Sequence, residues 1–371
     1  MPEAALTPPR RHVPPDPEGR VPLAAAPFVE LGLVSCFSVH LPQASARRSF
    51  STAGNSAAKQ WLPGLERAEA QGIFSMHMIE TRDGTHLFAK VWGEGRPVVL
   101  IHGWPLSADS WDPISHALAE AGFKAIAYDR RGFGRSSQPS GGYDYDTFAD
   151  DLAAVMQQHC GGEDAALVGF SMGGGEIARY LSRHQGKGVS RVALISAVVP
   201  CMLQSENNPD GVPQETFDEM TKGMLADRAH FFTGFFKEFY GVGWLEHPVS
   251  NEILMQSWTA AMQAGLRPTL AAAKAFATTD FRPDLASFTM PTLIIHGTSD
   301  KTVPIDATGR EMARRVPHAE LVEYAGEAHG IFATQTERLT RDLLAFLDGN
   351  PVVTQEQLDF TTAQAIAMQP L

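Results

Sequence analysis

The chain has 371 residues, of which 44% are hydrophobic and 19% are charged, a composition typical of globular proteins that excludes a largely disordered chain. Its net charge of −12 argues against a nucleic-acid partner, because phosphate contacts require clustered lysine and arginine. No stretch reaches about 18 uncharged apolar residues, so we expect no membrane-spanning helix and no membrane partner. Three widely spaced cysteines (Cys36, Cys160 and Cys201) exclude a disulfide scaffold and a CxxC metal site.

The first 60 residues differ in composition from the rest of the chain. They contain nine of the 25 prolines and carry a charge of +2, from six Lys and Arg against four Asp and Glu. Proline-rich runs of this kind are incompatible with helices and strand ladders. We therefore interpret residues 1–70 as an extension without a core of its own.

The extension also contains two weak targeting patterns. Residues 33–36 resemble a lipoprotein cleavage site, and residues 47–52 resemble the end of a mitochondrial presequence. Either would make the protein exported or organellar, but acidic residues upstream argue against both. A cytoplasmic location is the interpretation that we prefer.

Strand patterns begin after residue 74. Two β-rich runs, at 76–80 and 86–92, flank Asp83-Gly84, a dipeptide typical of hairpin turns. Short hydrophobic runs then alternate with helical stretches, and these runs lie at 97–101, 124–128, 165–169, 192–195, 292–295 and 320–323. Such alternation indicates a parallel sheet with helices on both faces. The sequence thus predicts an α/β protein with a mostly parallel, eight-stranded sheet.

The alternation stops between residues 200 and 288, where the sequence has helical patterns at 214–240 and 252–277. We interpret this segment as a helical cap over the carboxyl ends of the strands, where ligands bind in open α/β sheets. A short tail follows the last helix and is either exposed or an oligomer contact, so we expect a homo-oligomer. The predicted organisation is a body at 71–199 and 289–350, a cap at 200–288 and a tail at 351–371.

The nucleophile is predicted from the sequence GFSMGG at residues 169–174, which fits the pattern G-x-S-x-G. The pattern lies between a hydrophobic run and a helix expected over 172–183, which is the context of a nucleophile elbow. Such a turn strains the backbone of the serine and leaves no room for side chains two residues away. The start of the helix also supplies free N–H groups for an oxyanion. We therefore predict Ser171 as a catalytic nucleophile.

A serine hydroxyl is a weak nucleophile and needs a base. In this architecture the acid follows a later strand and the histidine comes last in the chain. Asp300 and His329 follow the last two hydrophobic runs in that order. We predict that His329 takes the Ser171 proton and that Asp300 fixes its tautomer. The other histidines are expected to be structural or on the surface, including His296 at the end of a strand.

The oxyanion hole needs a second donor from the loop after the run at 97–101, where the sequence is HGWPL. The predicted donors are the backbone N–H groups of Trp104 and Met172. Pro105 has no N–H, so it is expected to stiffen the loop and restrict Trp104 to an extended conformation.

The sequence DRRGFGRS at 129–136 contains a G-x-G but lacks the third glycine and the helix start of a dinucleotide site. We predict that it forms a tight turn stapled by Asp129 and the arginines.

These motifs together resemble the α/β-hydrolase superfamily, and within it the cofactor-free (non-heme) chloroperoxidases, perhydrolases and aryl esterases. The resemblance covers about residues 75 to 349, and its matching stretches are 102–105, 129–136, 169–174, 296–300 and 329–330. It implies an α/β-hydrolase fold with a cap and a Ser-His-Asp esterase that uses no metal, heme or other cofactor. The N-terminal extension departs from the family pattern.

The resemblance also implies a second reaction. Many members let hydrogen peroxide attack the acyl-enzyme, and the resulting peracid oxidises halide away from the protein. In this family a proline after the oxyanion tryptophan favours perhydrolysis, and Pro105 matches it. Thr302 matches a position that lines the substrate pocket, and we predict Pro105 and Thr302 as substrate-binding residues. The implied partners are a small-molecule ester and hydrogen peroxide.

The cap carries six aromatic residues within the ten positions 231–240. Their spacing of three and four places them on one wide helical stripe. We expect most of them to pack the cap onto the body. One or two of them, with Phe232 and Phe236 as the candidates, are predicted to line an apolar pocket for small acyl or aromatic esters together with Trp258 or Met262.

Two other function classes remain open at this stage. A lactonase or a C–C bond hydrolase would use the same three residues, and a non-catalytic receptor can keep them without turnover. A haloalkane dehalogenase is excluded because it needs an aspartate in place of Ser171. A metal or heme haloperoxidase would need ligand motifs that we do not find in the sequence.

Overall fold

The computed structural model describes residues 74–162 and 164–352, so the predicted extension and almost all of the predicted tail lie outside the described residues. The strands are β1 (Phe74–Glu80), β2 (His86–Trp92), β3 (Arg96–Ile101), β4 (Phe123–Tyr128), β5 (Ala165–Phe170), β6 (Val189–Ile195), β7 (Thr292–Gly297) and β8 (Ala319–Tyr324). They form one sheet in the order β1-β2-β4-β3-β5-β6-β7-β8. Only the β1–β2 and β2–β4 pairs are antiparallel. The prediction of a mostly parallel, eight-stranded sheet is confirmed.

From β3 to β8, one α-helix of the described residues lies between successive strands, except between β6 and β7, where there are three. They are α1 (Asp112–Glu120), α2 (Tyr145–His159), α3 (Met172–Arg183), α4 (Gln214–Phe239), α5 (Asn251–Gln263), α6 (Leu266–Thr278), α7 (Gly309–Arg315), α8 (Ile331–Thr334) and α9 (Thr336–Leu347). None of the described helices combines the length and the apolar character needed to span a bilayer.

The central strands are buried along nearly their whole length, as strands covered on both faces must be. In the sheet, β3 lies between β4 and β5, so the winding of the chain reverses there. Ligand crevices of open α/β sheets form at such a switch point. Strands β3, β5, β7 and β8 are parallel, and the loops after their carboxyl ends therefore meet at one edge.

Helices α4, α5 and α6 occupy the segment between β6 and β7, but they differ from the two predicted helical stretches. In α4 the backbone is not helical at Asp227, whose φ is −156° and ψ is 91°. The Asp227 carboxylate accepts a hydrogen bond from the His230 amide at 2.9 Å, as a residue that caps a new helix does. The second predicted stretch is divided at Ala264-Gly265 into α5 and α6.

The predicted turn at 129–136 is present, but only one of its arginines staples it. The buried Asp129 carboxylate accepts hydrogen bonds from the Ala108 amide at 2.7 Å and from the amide and Nε of Arg135 at 2.8 Å each. Arg130 and Arg131 turn inward instead and pair with buried acids on α3 and α2, respectively. Sequence position alone did not separate these roles.

Asp129→Ala is expected to lower the free energy of unfolding by roughly 2–4 kcal/mol, because it leaves donors of the Ala108 and Arg135 amides without an acceptor. Urea unfolding followed by tryptophan fluorescence measures the change. Asp348→Ala is the control: its carboxylate pairs with Arg96 at 2.6 Å, but both side chains are more than half exposed, so the loss should stay below about 1 kcal/mol. Equal losses in both variants would contradict the role of Asp129.

Candidate active site

Ser171 lies in a sharp turn between β5 and α3. Its φ of 53° and ψ of −118° place it in a strained region for a residue with a side chain. Its amide donates to the Ile195 carbonyl at 2.8 Å, and its carbonyl accepts from the Gly174 amide at 3.0 Å. A Cβ atom at Gly169 would lie 2.7 Å from the backbone of Gly173. The turn therefore requires glycine two residues before the serine, as the sequence pattern predicts.

The three side chains expected to act together are brought into contact. His329 Nε2 lies 3.0 Å from Ser171 Oγ, and His329 Nδ1 lies 2.6 Å from Asp300 Oδ2. The imidazole packs against the rings of Phe170 and Phe239, with centroids 4.9 and 4.8 Å away. All three residues are buried: Ser171 and Asp300 are each 6% exposed, and His329 is 1% exposed. Of the three, Ser171 is the one that lines the neighbouring cavity.

The Asp300 carboxylate is held by several donors. Its Oδ1 accepts hydrogen bonds from the amides of Thr302 at 2.9 Å and Val303 at 2.8 Å. Burial alone would raise the pKa of Asp300, but the imidazoles of His329 and His296 lower it to about 2. The group is therefore ionised at neutral pH and favours the His329 tautomer that carries hydrogen on Nδ1.

The loop after β3 passes directly over Ser171. A Cβ atom at Gly103 would lie 2.9 Å from Ser171 Cβ and 2.6 Å from the Phe170 ring, so only glycine permits this approach. Among the described residues, the amides of Trp104 and Met172 have no backbone acceptor, as donors for a ligand must. The Trp104–Pro105 peptide is cis.

Buried polar groups fix this loop from behind. His102 Nδ1 contacts the Gly103 carbonyl at 2.9 Å, and His102 Nε2 accepts from the Arg130 amide at 3.0 Å. Arg130 donates to the His102 carbonyl at 2.9 Å and to Glu176 at 2.7 Å. Burial lowers the pKa of Arg130 to about 10 and raises that of Glu176. The loop is therefore held by a completely buried Arg130–Glu176 pair, in which burial disfavours the charge of both groups.

A cavity of about 410 Å³ opens at Ser171 between the body and α4. Its inner wall is apolar and includes Trp104, Phe231, Phe235 and Phe276. Charged and polar side chains also line it, namely Thr216, His230, Glu238, Lys301 and Thr302. Thr302, predicted to lie at the substrate pocket, is one of these lining residues.

The aromatic residues expected to line the pocket are not the ones that do so. Phe232 and Phe236 are 0% and 1% exposed and pack beneath the cavity, so Phe231 and Phe235 of the same helix take that place. Trp258 donates from Nε1 to the Ala229 carbonyl at 2.9 Å and is likewise absent from the lining, as is Pro105. The helical spacing predicts that these aromatic residues form one stripe on α4. It does not predict which edge of that stripe faces the cavity.

Sequence reasoning missed His296 as a neighbour of Asp300. Its Nε2 lies 3.3 Å from Asp300 Oδ2. The signal in the sequence is the position of a histidine at the end of β7, four residues before the aspartate. This position shows that the histidine ends a strand, but it does not show that its ring points toward Asp300.

The comparison with known proteins agrees with this geometry. A family model described as the alpha/beta hydrolase fold matches residues 96–336. A non-heme chloroperoxidase of Kitasatospora aureofaciens is 44% identical over 74% of this chain and 100% of the relative. A bifunctional esterase/perhydrolase of Acinetobacter calcoaceticus is 39% identical over 73% of this chain and 99% of the relative.

Among solved structures, a bromoperoxidase from Bacillus anthracis has a TM-score of 0.71 and 41% identity, covering 74% of this chain and 100% of that chain. The chain therefore belongs to the α/β-hydrolase family, within its branch of non-heme haloperoxidases and esterases. The resemblance inferred from the motifs is confirmed.

His102 makes the stability of the fold depend on pH. Burial is the main reason that the pKa of His102 lies well below its usual range, so the unfolded chain binds a proton that the folded chain does not. Stability should therefore fall as pH drops below about 6.5. When the pH is lowered from 7.5 to 5.5, the unfolding free energy of both proteins should fall. The fall should be about 1.4 kcal/mol smaller for His102→Gln than for the parent.

Urea unfolding at the two pH values tests this, with the exposed His318 changed to Gln as the control. The control should keep the pH dependence of the parent. The same dependence in His102→Gln would mean that His102 takes up a proton in the folded state.

Proposed function

We propose that the protein is a serine hydrolase that cleaves small alkyl or aryl carboxylic esters through an acyl-enzyme on Ser171. The observation that carries this proposal is the chain of contacts from Ser171 through His329 to Asp300, at 3.0 and 2.6 Å, which ends at an apolar cavity. The names of the related proteins, which include an esterase/perhydrolase, support the same class of reaction.

In the first step Ser171 Oγ attacks the ester carbonyl carbon while His329 Nε2 accepts the hydroxyl proton. The ionised Asp300 stabilises the imidazolium that forms. When the tetrahedral intermediate collapses, the bond to the alcohol breaks and His329 returns the proton to the leaving oxygen. The acyl group stays on Ser171.

The negative oxygen of the intermediate is assigned to the amides of Trp104 and Met172. One amide belongs to the loop that Gly103 allows over Ser171, and the other starts α3, where the helix dipole favours negative charge. Each donor of this kind is worth about 3–4 kcal/mol of transition-state stabilisation.

Water or hydrogen peroxide then releases the acyl group. His329 takes a proton from the incoming oxygen, which bonds to the acyl carbon, and the proton returns to Ser171 as its ester bond breaks. Water yields the carboxylic acid and peroxide yields the peracid, which oxidises halide in solution. Pro105 and the related haloperoxidases favour perhydrolysis as a side activity. This scheme needs no metal or heme, so activity should survive EDTA.

The substrate is assigned to the apolar cavity. Phe235 lies against Trp104 with ring centroids 5.4 Å apart and stacks on Phe231 at 5.9 Å. These rings fit an alkyl chain or an aryl group beside the acyl carbon. The charged side chains of Glu238 and Lys301 also line the cavity, and we assign the leaving alcohol to them.

Ser171→Ala should lower kcat for p-nitrophenyl acetate by at least about 10⁴-fold, because no other group can form the acyl-enzyme. A fluorophosphonate should label the parent and not the variant. The matched control is Ser196→Ala: Ser196 is also buried, follows the neighbouring strand and has a positive φ of 43°. It should keep the parent rate.

Full activity of Ser171→Ala would refute the proposal. A parent enzyme that is labelled but acylated only once would identify the receptor class instead.

Phe235→Ala should shift the preference toward longer acyl chains by enlarging the cavity beside Trp104. The ratio of kcat/KM for p-nitrophenyl octanoate to that for the acetate should rise by about 10-fold or more. Phe236→Leu is the control, because Phe236 lies outside the lining; it should lower stability without changing this ratio. Unchanged ratios in Phe235→Ala would place the acyl chain elsewhere. Parallel assays with peroxide and bromide measure perhydrolysis.

A further inference from the structure

His296 is a second imidazole beside Asp300, and the proposed reaction gives it no role. It is the penultimate residue of β7 and is completely buried. Its Nε2 lies 2.9 Å from the Val303 carbonyl oxygen and 3.3 Å from Asp300 Oδ2. The ring therefore contacts both the acid and the loop that carries it.

The contacts of His296 define the tautomer of the ring. A carbonyl oxygen only accepts hydrogen bonds, so the hydrogen must be on Nε2 to bond Val303. In the described part of the chain, Nδ1 is buried and has no hydrogen-bond partner. The arrangement thus directs the N–H group at the loop and places its positive end beside Asp300.

Val303 transmits this contact to the other oxygen of the carboxylate. Its amide donates to Asp300 Oδ1 at 2.8 Å while its carbonyl accepts from His296. The imidazole therefore holds the loop on one side and lies beside Oδ2 on the other. Both contacts oppose rotation of the carboxylate away from His329.

We propose that His296 is a positioning residue that holds Asp300 in the orientation in which Oδ2 faces His329 Nδ1. The inference rests on the proposed serine hydrolase reaction. It extends that reaction by assigning a role to a residue that is not itself among the described residues lining the cavity.

The surroundings of the ring favour this role. A Cβ atom at Gly309 would lie 2.9 Å from His296 Nδ1, so the glycine makes room for the ring. On β8, Glu323 is the register partner of His296, and Arg310 binds the Glu323 carboxylate at 2.8 and 2.7 Å. Glu323 thus pairs with Arg310, and Asp300 is the carboxylate that lies beside His296 Nε2.

The test compares His296→Leu, which removes the donor, with His296→Gln, which keeps an N–H group at similar reach. For p-nitrophenyl acetate, His296→Leu should lower kcat by about 10- to 100-fold, because misplacement of a catalytic group by about 1 Å has this effect, while KM changes less than about twofold. His296→Gln should recover most of the lost rate. In an Asp300→Ala background, His296→Leu should add no further loss, since both changes act through the same carboxylate.

Ile294→Ala is the matched control, because Ile294 is buried on the same face of β7. It should lower the melting temperature without lowering kcat. Should His296→Leu fail to fold, Gly309→Ala, which displaces the ring, must show the same loss of kcat. Fluorophosphonate labelling rates of Ser171 are measured in parallel and do not require turnover.

Three results would overturn the inference: an unchanged kcat and labelling rate in His296→Leu, no recovery in His296→Gln, or losses that multiply in the Asp300→Ala background. A parent enzyme without Ser171-dependent turnover or labelling would instead refute the proposed function. The two failures are therefore distinguishable.

Discussion

The Asp300 carboxylate has no access to water, and this constraint shapes the loops at the carboxyl edge of the sheet. Removing an ion from water costs several kcal/mol unless neighbouring groups replace its hydration. Here two amides bind Oδ1 and two imidazoles lie beside Oδ2. Together they keep the acid ionised despite burial. The loop after β7 is therefore folded tightly around Asp300.

The same edge holds a strained serine. A residue with a side chain at φ of 53° costs about 1–3 kcal/mol, which the surroundings must offset. The Ser171 backbone is fixed by hydrogen bonds to the neighbouring strand end and to α3, and β5 beneath it is completely buried. Because β5 lies in the middle of the sheet, the strained turn is attached to the most rigid part of the fold.

Much of this fold could be predicted from the sequence, because the patterns that specify its strands and the nucleophile turn lie within short segments of the chain. Buried parallel strands are short hydrophobic runs, and the nucleophile turn needs glycine at set positions around Ser171. The roles of Arg130 and Arg135 could not be separated, since both follow the same strand and only packing shows that one faces Glu176 and the other Asp129. Likewise, rotation of α4 by part of a turn decides whether Phe235 or Phe236 faces the cavity. His296 was missed because ring direction is a property of tertiary contacts.

Trp104 joins α4 and α6 to the loop that passes over Ser171. Its amide is assigned to the oxyanion, while its indole Nε1 donates to the Thr269 carbonyl of α6 at 3.0 Å. The indole also packs on Phe232, Phe235 and Phe276, with centroids 5.4 to 5.6 Å away. The backbone of this loop is held by His102 and Arg130 on the body side and by these rings on the cap side. In the proposed reaction, a change in cap packing therefore acts on the oxyanion donor as well as on the shape of the cavity, so the proposal couples substrate preference and rate through one residue.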